Sequence, residues 1–258
     1  MNKTQTVERL IELGIPEEKA KILDLEGADL TKANLQGANL QGADLTGADL
    51  YEANLIRANL YRANLTEANL IRADLTGAKL YSAYLQGAIF LETVLREADL
   101  TGANLTGAIL IDENLTGADL QGADLYSADL SGANLSRTNL IGVNLIGANL
   151  SRTNLIGADL TGANLSRAYL YGANLRGAKN ISHSHEACAE VLRQGAKGNI
   201  LIEAFAGLIL LHRDWCWERF PKEALEPFAS VIEEIIAIFS AYPEWGIAER
   251  IQGRRGNE

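Results

Sequence analysis

Cysteine, histidine and long apolar runs are scarce in this chain. It has two cysteines, Cys188 and Cys216, and three histidines. So few cysteines, together with the lack of a signal-peptide pattern over residues 1–10, favour a reduced, cytoplasmic protein. No apolar run reaches the roughly 18 residues that a membrane-spanning helix needs, because the longest candidate, residues 200–211, is interrupted by Glu203. We therefore expect no membrane span.

Basic residues are also in deficit. The chain has 23 Lys and Arg against 33 Asp and Glu, which gives a formal net charge of −10. Binding to nucleic acid is driven largely by basic side chains that contact phosphates. The composition therefore argues against direct binding to nucleic acid or to an anionic membrane, and it suits a soluble protein or a basic partner.

Motifs of catalysis and cofactor binding are missing as well. The chain has no phosphate-binding loop, no Gly-x-Gly-x-x-Gly unit and no nucleophile elbow. His183, His185 and Cys188 lie close together, but a structural zinc site needs four ligands, usually from two paired motifs. The His, Asp and Cys of residues 212–216 lie among tryptophans and are interpreted as packing at a helix end. The sequence thus predicts no enzyme, no metal site, no cofactor and no small-molecule substrate.

What the chain has in abundance is leucine at a fixed interval. Leucine occupies every fifth position from 25 to 175, thirty-one positions with the one exception of Phe90. Alanine stands two residues before it, and Asn or Asp immediately before it, each in twenty-five of the thirty-one repeats. A register this regular over more than half of the chain indicates a repeat architecture.

A period of five excludes the ordinary elements. Five residues turn an α-helix by about 140°, so the leucines would define no apolar face. Side chains of a flat strand alternate, so an odd repeat would send successive leucines to opposite sides. A coil that turns a corner in every repeat keeps alanine and leucine inside, and Asn or Asp outside. Stacked coils then enclose leucine columns, and each buried leucine stabilises the fold by roughly 2 kcal/mol.

The repeats resemble those of the pentapeptide-repeat family, as in ADLTGADL at residues 43–50 and ANLIRANL at residues 53–60. This resemblance implies a mainly β solenoid, a right-handed quadrilateral β-helix with four repeats per coil. The period alone leaves the number of sides open. With four sides, the thirty-one repeats make about 7 to 8 coils and a rod about 37 Å long.

Both ends of the chain depart from the repeat. Residues 1–22 are predicted to form a short helical N-terminal cap, and residues 23–179 the β-helix. Residues 180–258, where the composition changes to Trp, Phe, Ile and Glu, are predicted to form a C-terminal α-helical domain. Its helices are expected to begin near Ser184, Asn199, Pro221 and Pro243. The sequence leaves open whether they cap their own solenoid or bind another chain.

Apolar residues collect on part of one outward face. With four sides per coil, residues twenty apart lie above one another, which places six apolar side chains together. They are Tyr51, Ile71, Ile89, Leu91, Ile109 and Ile111. Contiguous exposed apolar area usually marks a contact surface, so we predict a protein-contact patch for homodimerisation, for docking the C-terminal helices or for another protein. The alternative is that β-branched and aromatic residues simply suit strands.

Glu113 is the one charged residue at an inward position of the repeats. Burial of an unpaired carboxylate is costly and raises its pKa. The favoured interpretation is a local bulge that turns Glu113 outward, since Leu110 and Leu115 keep their spacing. A hydrogen-bonded structural acid and a functional buried acid are the alternatives. No second acid is inward with it, which gives paired-carboxylate catalysis little support.

These features predict a noncatalytic scaffold, a stiff rod with helical ends whose protein partner the sequence does not name. The family resemblance offers an alternative, because some pentapeptide-repeat proteins are dimeric DNA mimics that occupy the DNA-binding surface of a type II topoisomerase such as DNA gyrase. Such mimicry requires ordered ladders of acids. Residues 23–179 carry seventeen acids and eleven bases, and arginines interrupt any long acidic stripe, so the scaffold is the main prediction.

Overall fold

Backbone pairing follows the five-residue repeat. The computed structural model describes residues 24–179 and, towards the C terminus, residues 189, 191, 206, 230, 232–241, 247–248 and 251–252. Each strand of the solenoid is a single bridging residue, the one before each leucine, and it pairs in parallel with the residue twenty positions later. The bridges run from Asp24 with Asp44 to Asp159 with Lys179. Four repeats therefore complete one coil, and coils stack about 4.8 Å apart.

A tight turn separates successive sides of the coil. The alanine N–H of each repeat donates to the carbonyl of the preceding leucine, as from Ala48 to Leu45 at 3.0 Å. The residue two positions after leucine has a positive φ, between 54° and 75°, at all thirty-one corners. This φ fits the third position of a type II turn, where glycine is free of strain. Glycine occupies seventeen corners, and charged residues or serine occupy the other fourteen.

The outward Asn and Asp side chains brace these corners. Their Oδ1 atoms accept the backbone N–H two residues later, as for Asp49 with Tyr51 at 3.1 Å and Asn69 with Ile71 at 3.1 Å. The side chains also join neighbouring coils, since Asn69 Nδ2 donates to Asp49 Oδ1 at 2.9 Å. The preference for Asn and Asp therefore has a local cause, because these residues readily bond their own backbone in turns.

The interior consists of columns of leucine and alanine. The repeat leucines and Phe90 are at most 4% exposed. We number the four sides of the solenoid by their first inward leucine, with each later leucine twenty residues further on. Leu25 begins wall 1, Leu30 wall 2, Leu35 wall 3 and Leu40 wall 4.

Four polar side chains of residues 24–179 are buried in this core, and each is at most 4% exposed. They are Thr93, Glu113, Thr138 and Thr153. Glu113 thus lies inside the solenoid, and the predicted outward bulge is wrong. The backbone keeps its inward register because Leu115 N donates to Asn134 O at 3.0 Å, and Asn134 N donates to Glu113 O at 2.8 Å.

Helix α1, at Ile232–Ser240, lies in the described C-terminal residues. It buries Ile232, Ile235, Ile236 and Phe239 along one side, as an amphipathic helix does. It follows Pro221, where the third C-terminal helix is predicted. The helical C-terminal domain as a whole stays a prediction, and no helix within the described residues is long and apolar enough to cross a membrane.

Several predicted features lie outside the described residues. These are the N-terminal cap at residues 1–22, the group of His183, His185 and Cys188, and the His, Asp and Cys of residues 212–216.

Candidate interaction surface

Wall 2 carries the six apolar residues of the predicted contact patch. Ile89 and Ile109 form a parallel bridge with each other, and the polar residues Asn69 and Asp129 pair with them on either side. The other four residues follow the inward leucine or Phe90 in four successive coils: Tyr51, Ile71, Leu91 and Ile111. All six side chains are half-buried. The structure brings the six together on one wall, and their role in contact stays a prediction.

Isoleucine at the bridging position changes the backbone of the patch as well as its surface. In a regular repeat the Asn or Asp oxygen accepts the N–H two residues later, whereas isoleucine offers no acceptor. Within residues 24–179, the N–H groups of Leu91 and Ile111 have no hydrogen-bond partner. The patch therefore combines apolar side chains with two backbone donors that are open to an acceptor from solvent or from a partner.

Alternating charges run along the corner that adjoins the patch. Lys32, Glu52, Arg72 and Glu92 succeed one another at intervals of one coil, and we call them the charge ladder. The joining distances are 3.4 Å for Lys32 Nζ to Glu52 Oε2, 3.2 Å for Arg72 Nη1 to Glu52 Oε1 and 2.9 Å for Arg72 Nε to Glu92 Oε2. Such exposed pairs add little to stability, because water and salt screen their charges. Their main effect is to hold long charged side chains in place beside the patch.

Tyr51 connects the patch to the charge ladder. Its hydroxyl oxygen accepts a hydrogen bond from Arg72 Nη1 at 3.1 Å. Hydrogen bonding to Tyr51 is the largest cause that lowers the pKa of Glu52, and the charges of Lys32 and Arg72 act in the same direction. Hydrogen bonds to Tyr51 and Glu92 raise the pKa of Arg72. Sequence reasoning missed the ladder, although the alternation of charge at intervals of twenty residues signals it.

Among residues 24–179, the most exposed large apolar side chains lie outside the six-residue patch. Tyr169 and Tyr171, on the last coil of wall 2, are 66% and 70% exposed. On wall 4, the rings of Tyr61 and Tyr81 stack with centroids 5.3 Å apart, and the Arg62 guanidinium lies 5.0 Å from the Tyr61 centroid. Wall 2 thus carries two separate apolar areas, with polar coils between them.

Glu113 lies inside the solenoid and directly follows Asp112, the corner residue with a positive φ. Burial raises the pKa of Glu113 to about 7, and the charges of Asp112 and Glu92 act in the same direction. Hydrogen bonds from the backbone of Glu92 and Thr93 oppose this shift. These three acids do not form a metal site, because the described residues contain no group of three or more potential ligands placed to hold an ion.

Solved structures with similar repeats include three pentapeptide-repeat proteins. HetL, involved in heterocyst differentiation regulation in the cyanobacterium Nostoc sp. strain PCC 7120, is 33% identical over 60% of this chain and 88% of its own, with a TM-score of 0.29. QnrB1, a plasmid-mediated fluoroquinolone resistance protein, is 22% identical over 63% and 84%, with a TM-score of 0.30. A protein from the Arabidopsis thaliana thylakoid lumen is 25% identical over 50% and 72%, with a TM-score of 0.24. Because all three TM-scores are low, the likeness in overall shape carries no argument.

The assignment of the chain rests on its repeats. A comparison with curated proteins finds no match. The family model for pentapeptide repeats matches eight copies, over residues 23–47, 43–80, 78–112, 98–137 and 138–177. These segments cover more than half of the chain, and parallel bridges at intervals of twenty residues run through them. The chain therefore belongs to the pentapeptide-repeat family, and its repeats form the right-handed β-helix solenoid of that family.

Proposed function

We propose that this chain is a noncatalytic scaffold that binds another protein through wall 2. The observation that carries this proposal is the patch of six half-buried apolar side chains on one wall of a regularly bonded solenoid. Asn or Asp, which would brace the turns, is replaced there by isoleucine at two stacked positions. The replacement removes two turn hydrogen bonds and adds nothing to the buried core. Contact with another protein would explain why isoleucine stands at these two positions.

The size of the patch suggests how it would be used. The patch extends over four coils, about 19 Å at the usual strand spacing. Each partner in a standard interface buries roughly 800 Å², so six half-buried side chains would form only part of such an interface. Interfaces commonly combine an apolar centre with a polar rim. The six residues would supply the centre, and the charge ladder with its bound Tyr51 would supply one side of the rim.

The double substitution Ile89→Asn and Ile109→Asn tests the proposal. Asparagine is a common residue at these positions of other repeats, and its Oδ1 would accept the N–H of Leu91 or Ile111 as in regular corners. We expect the variant to fold at least as stably as the original chain, since it regains two turn hydrogen bonds. Loss of binding would then reflect the surface. Tyr84→Asn, the same kind of change on wall 1, is the matched control.

Two measurements give the outcome. Light scattering reports self-association, and affinity capture with quantitative mass spectrometry identifies partners, whose purified forms are then titrated. We expect the double variant to lose a dimer or a partner that the Tyr84→Asn variant keeps. Unchanged mass together with unchanged capture in the double variant contradicts the proposal.

A DNA-mimic role finds little support in the order of charges. Acids stack directly on acids in three bridge pairs of the described solenoid: Asp24 with Asp44, Asp29 with Asp49, and Asp99 with Asp119. None of these pairs continues to a third acid, and the charge ladder alternates in sign. Binding of a type II topoisomerase therefore stays the alternative. Helical ends for capping or assembly and a cytoplasmic location remain predictions that accompany the scaffold proposal.

A further inference from the structure

Backbone hydrogen bonding between two coils is interrupted on one side of the solenoid, along wall 3. In a regular coil, the N–H of the wall 3 leucine and of its corner residue donate to the next coil. Leu75 N donates to Val94 O at 2.8 Å, and Gly77 N donates to Arg96 O at 2.9 Å. One coil later both bonds are missing. In the following coil Leu115 N donates to Asn134 O at 3.0 Å while Gly117 N makes no bond to Ser136 O, and both bonds are present again at Leu135 and Arg137.

The interruption, which we call the seam, lies between residues 92–97 and 111–116. Four consecutive bonds of the regular pattern are not made there among the described residues. They would join Glu92 N to Ile111 O, Asn114 N to Thr93 O, Leu95 N to Asn114 O and Glu97 N to Thr116 O. Val94 still lies opposite Asn114 as a bridge pair. The two coils thus stay in register while this side loses its regular hydrogen bonds.

Glu113 lies at the centre of the seam with its side chain 3% exposed. Hydrogen bonding from the backbone of Glu92 and Thr93 lowers the pKa of its carboxyl against the effect of burial, and Glu92 N makes no bond to Ile111 O. Alanine occupies the same inward position in most repeats and has no group that could compete for these donors. The longer, polar side chain therefore accounts for the lost pairing.

The charges around Glu113 are unfavourable to its ionised form. Glu92 faces it from the preceding coil and Asp112 adjoins it on its own coil. The nearby cations are already engaged, since Arg72 pairs with Glu92 at 2.9 Å and Arg96 pairs with Glu97 at 3.3 Å. From the following coil, the uncharged Gly132 and Ala133 stack over residues 112 and 113.

We propose that Glu113 makes the seam a proton-controlled joint, at which the two coils close when its carboxyl is protonated and part locally when it is ionised. This inference is independent of the proposed contact at wall 2. An open seam lets water reach the carboxylate and relieves its repulsion from Glu92 and Asp112. Because burial raises the pKa of Glu113 to about 7 from an ordinary 4.5, opening is coupled to loss of the proton and becomes easier as the pH rises through that range.

Amide hydrogen exchange tests the joint. The N–H groups of Phe90 and Leu100 report on the seam, because they donate to Ile109 O at 2.9 Å and to Asp119 O at 2.8 Å and so join the same two coils on either side of it. Those of Leu75 and Gly77 serve as references on wall 3. After correction for intrinsic exchange, we expect the opening constant of the seam to rise about thirtyfold between pH 5.5 and pH 8.5, the ratio set by the two pKa values. The references should change far less.

Two variants separate protonation from packing. Glu113→Gln keeps the shape but removes the ionisation, so its seam should open to the same extent at both pH values. Glu113→Ala should show higher protection of the seam at both pH values, because the regular bonds can form again. The proposal is overturned by a seam in the original chain whose opening does not change with pH, or by a pH dependence that persists in Glu113→Gln.

Discussion

Replacing Glu113 by alanine should stabilise this protein, although most substitutions in a core destabilise. Glu113 is 3% exposed, and its pKa is raised from 4.5 to about 7. Alanine occupies the equivalent inward position in most repeats, so the surrounding coils provide a suitable site for it. The change removes an ionisable group from the interior and allows the seam to regain its regular backbone hydrogen bonds.

The size of the effect depends on pH in a defined direction. Because the folded-state pKa lies above the unfolded one, the folded protein binds more protons between pH 4.5 and pH 7. The stability of the original chain therefore falls as the pH rises through this window, and is constant above it. At 1.36 kcal/mol per pKa unit, ionisation of Glu113 costs about 1 kcal/mol at pH 5 and about 3 kcal/mol at pH 8. The advantage of Glu113→Ala should thus grow by about 2 kcal/mol between these pH values.

Urea denaturation at pH 5 and pH 8, followed by circular dichroism, measures this difference. Thr153→Ala is the matched control, because Thr153 lies in the same inward column two coils later and carries no charge. Its effect on the free energy of unfolding should be the same at both pH values. The reasoning fails if Glu113→Ala destabilises the protein at pH 8, or if its advantage is the same at pH 5 as at pH 8.

Three further predictions concern other parts of the solenoid. Arg57 lies at a corner with a φ of 56°, so Arg57→Gly should raise the free energy of unfolding by about 1 kcal/mol. Gly77→Ala, at a φ of 63°, should lower it by a similar amount, and a reversed order of thermal midpoints would contradict this. Arg72→Met should lower the free energy of unfolding slightly in low salt and have no effect near 1 M salt, and a loss that persists in high salt would show that the ladder is structural. In a DNA gyrase supercoiling assay the protein should not inhibit, since its acids do not form long stacks; dose-dependent inhibition would favour the DNA-mimic alternative.

Much of the solenoid was predictable because each repeat specifies its own orientation. Leucine and alanine two residues apart identify the inward side, and the structure buries them along all four walls. The outward Asn and Asp were expected at turns, and they bond the backbone two residues later, as Asp49 does with Tyr51. The grouping of Ile89 with Ile109 also followed from counting twenty residues per coil.

The predicted conformation of Glu113 was wrong for a reason that sequence spacing does not contain. The cost of burying a carboxylate was recognised, but the donors that reduce it belong to residues 92 and 93 on the preceding coil. The charge ladder was missed for a similar reason. Arg72 contacts Glu52 and Glu92, each twenty residues away, and Tyr51, twenty-one residues away.

The amino-acid sequence by itself determined the period, the side of the backbone that faces inward, and the membership of the chain in a repeat architecture. These properties depend on neighbours within five residues, whose turn preferences and hydrophobicity can be judged locally. Tertiary structure alone decided which charges pair, which turns lack their hydrogen bond and where the buried acid finds its donors. Such contacts exist only after a coil has closed, because closure brings groups twenty residues apart to within hydrogen-bonding distance.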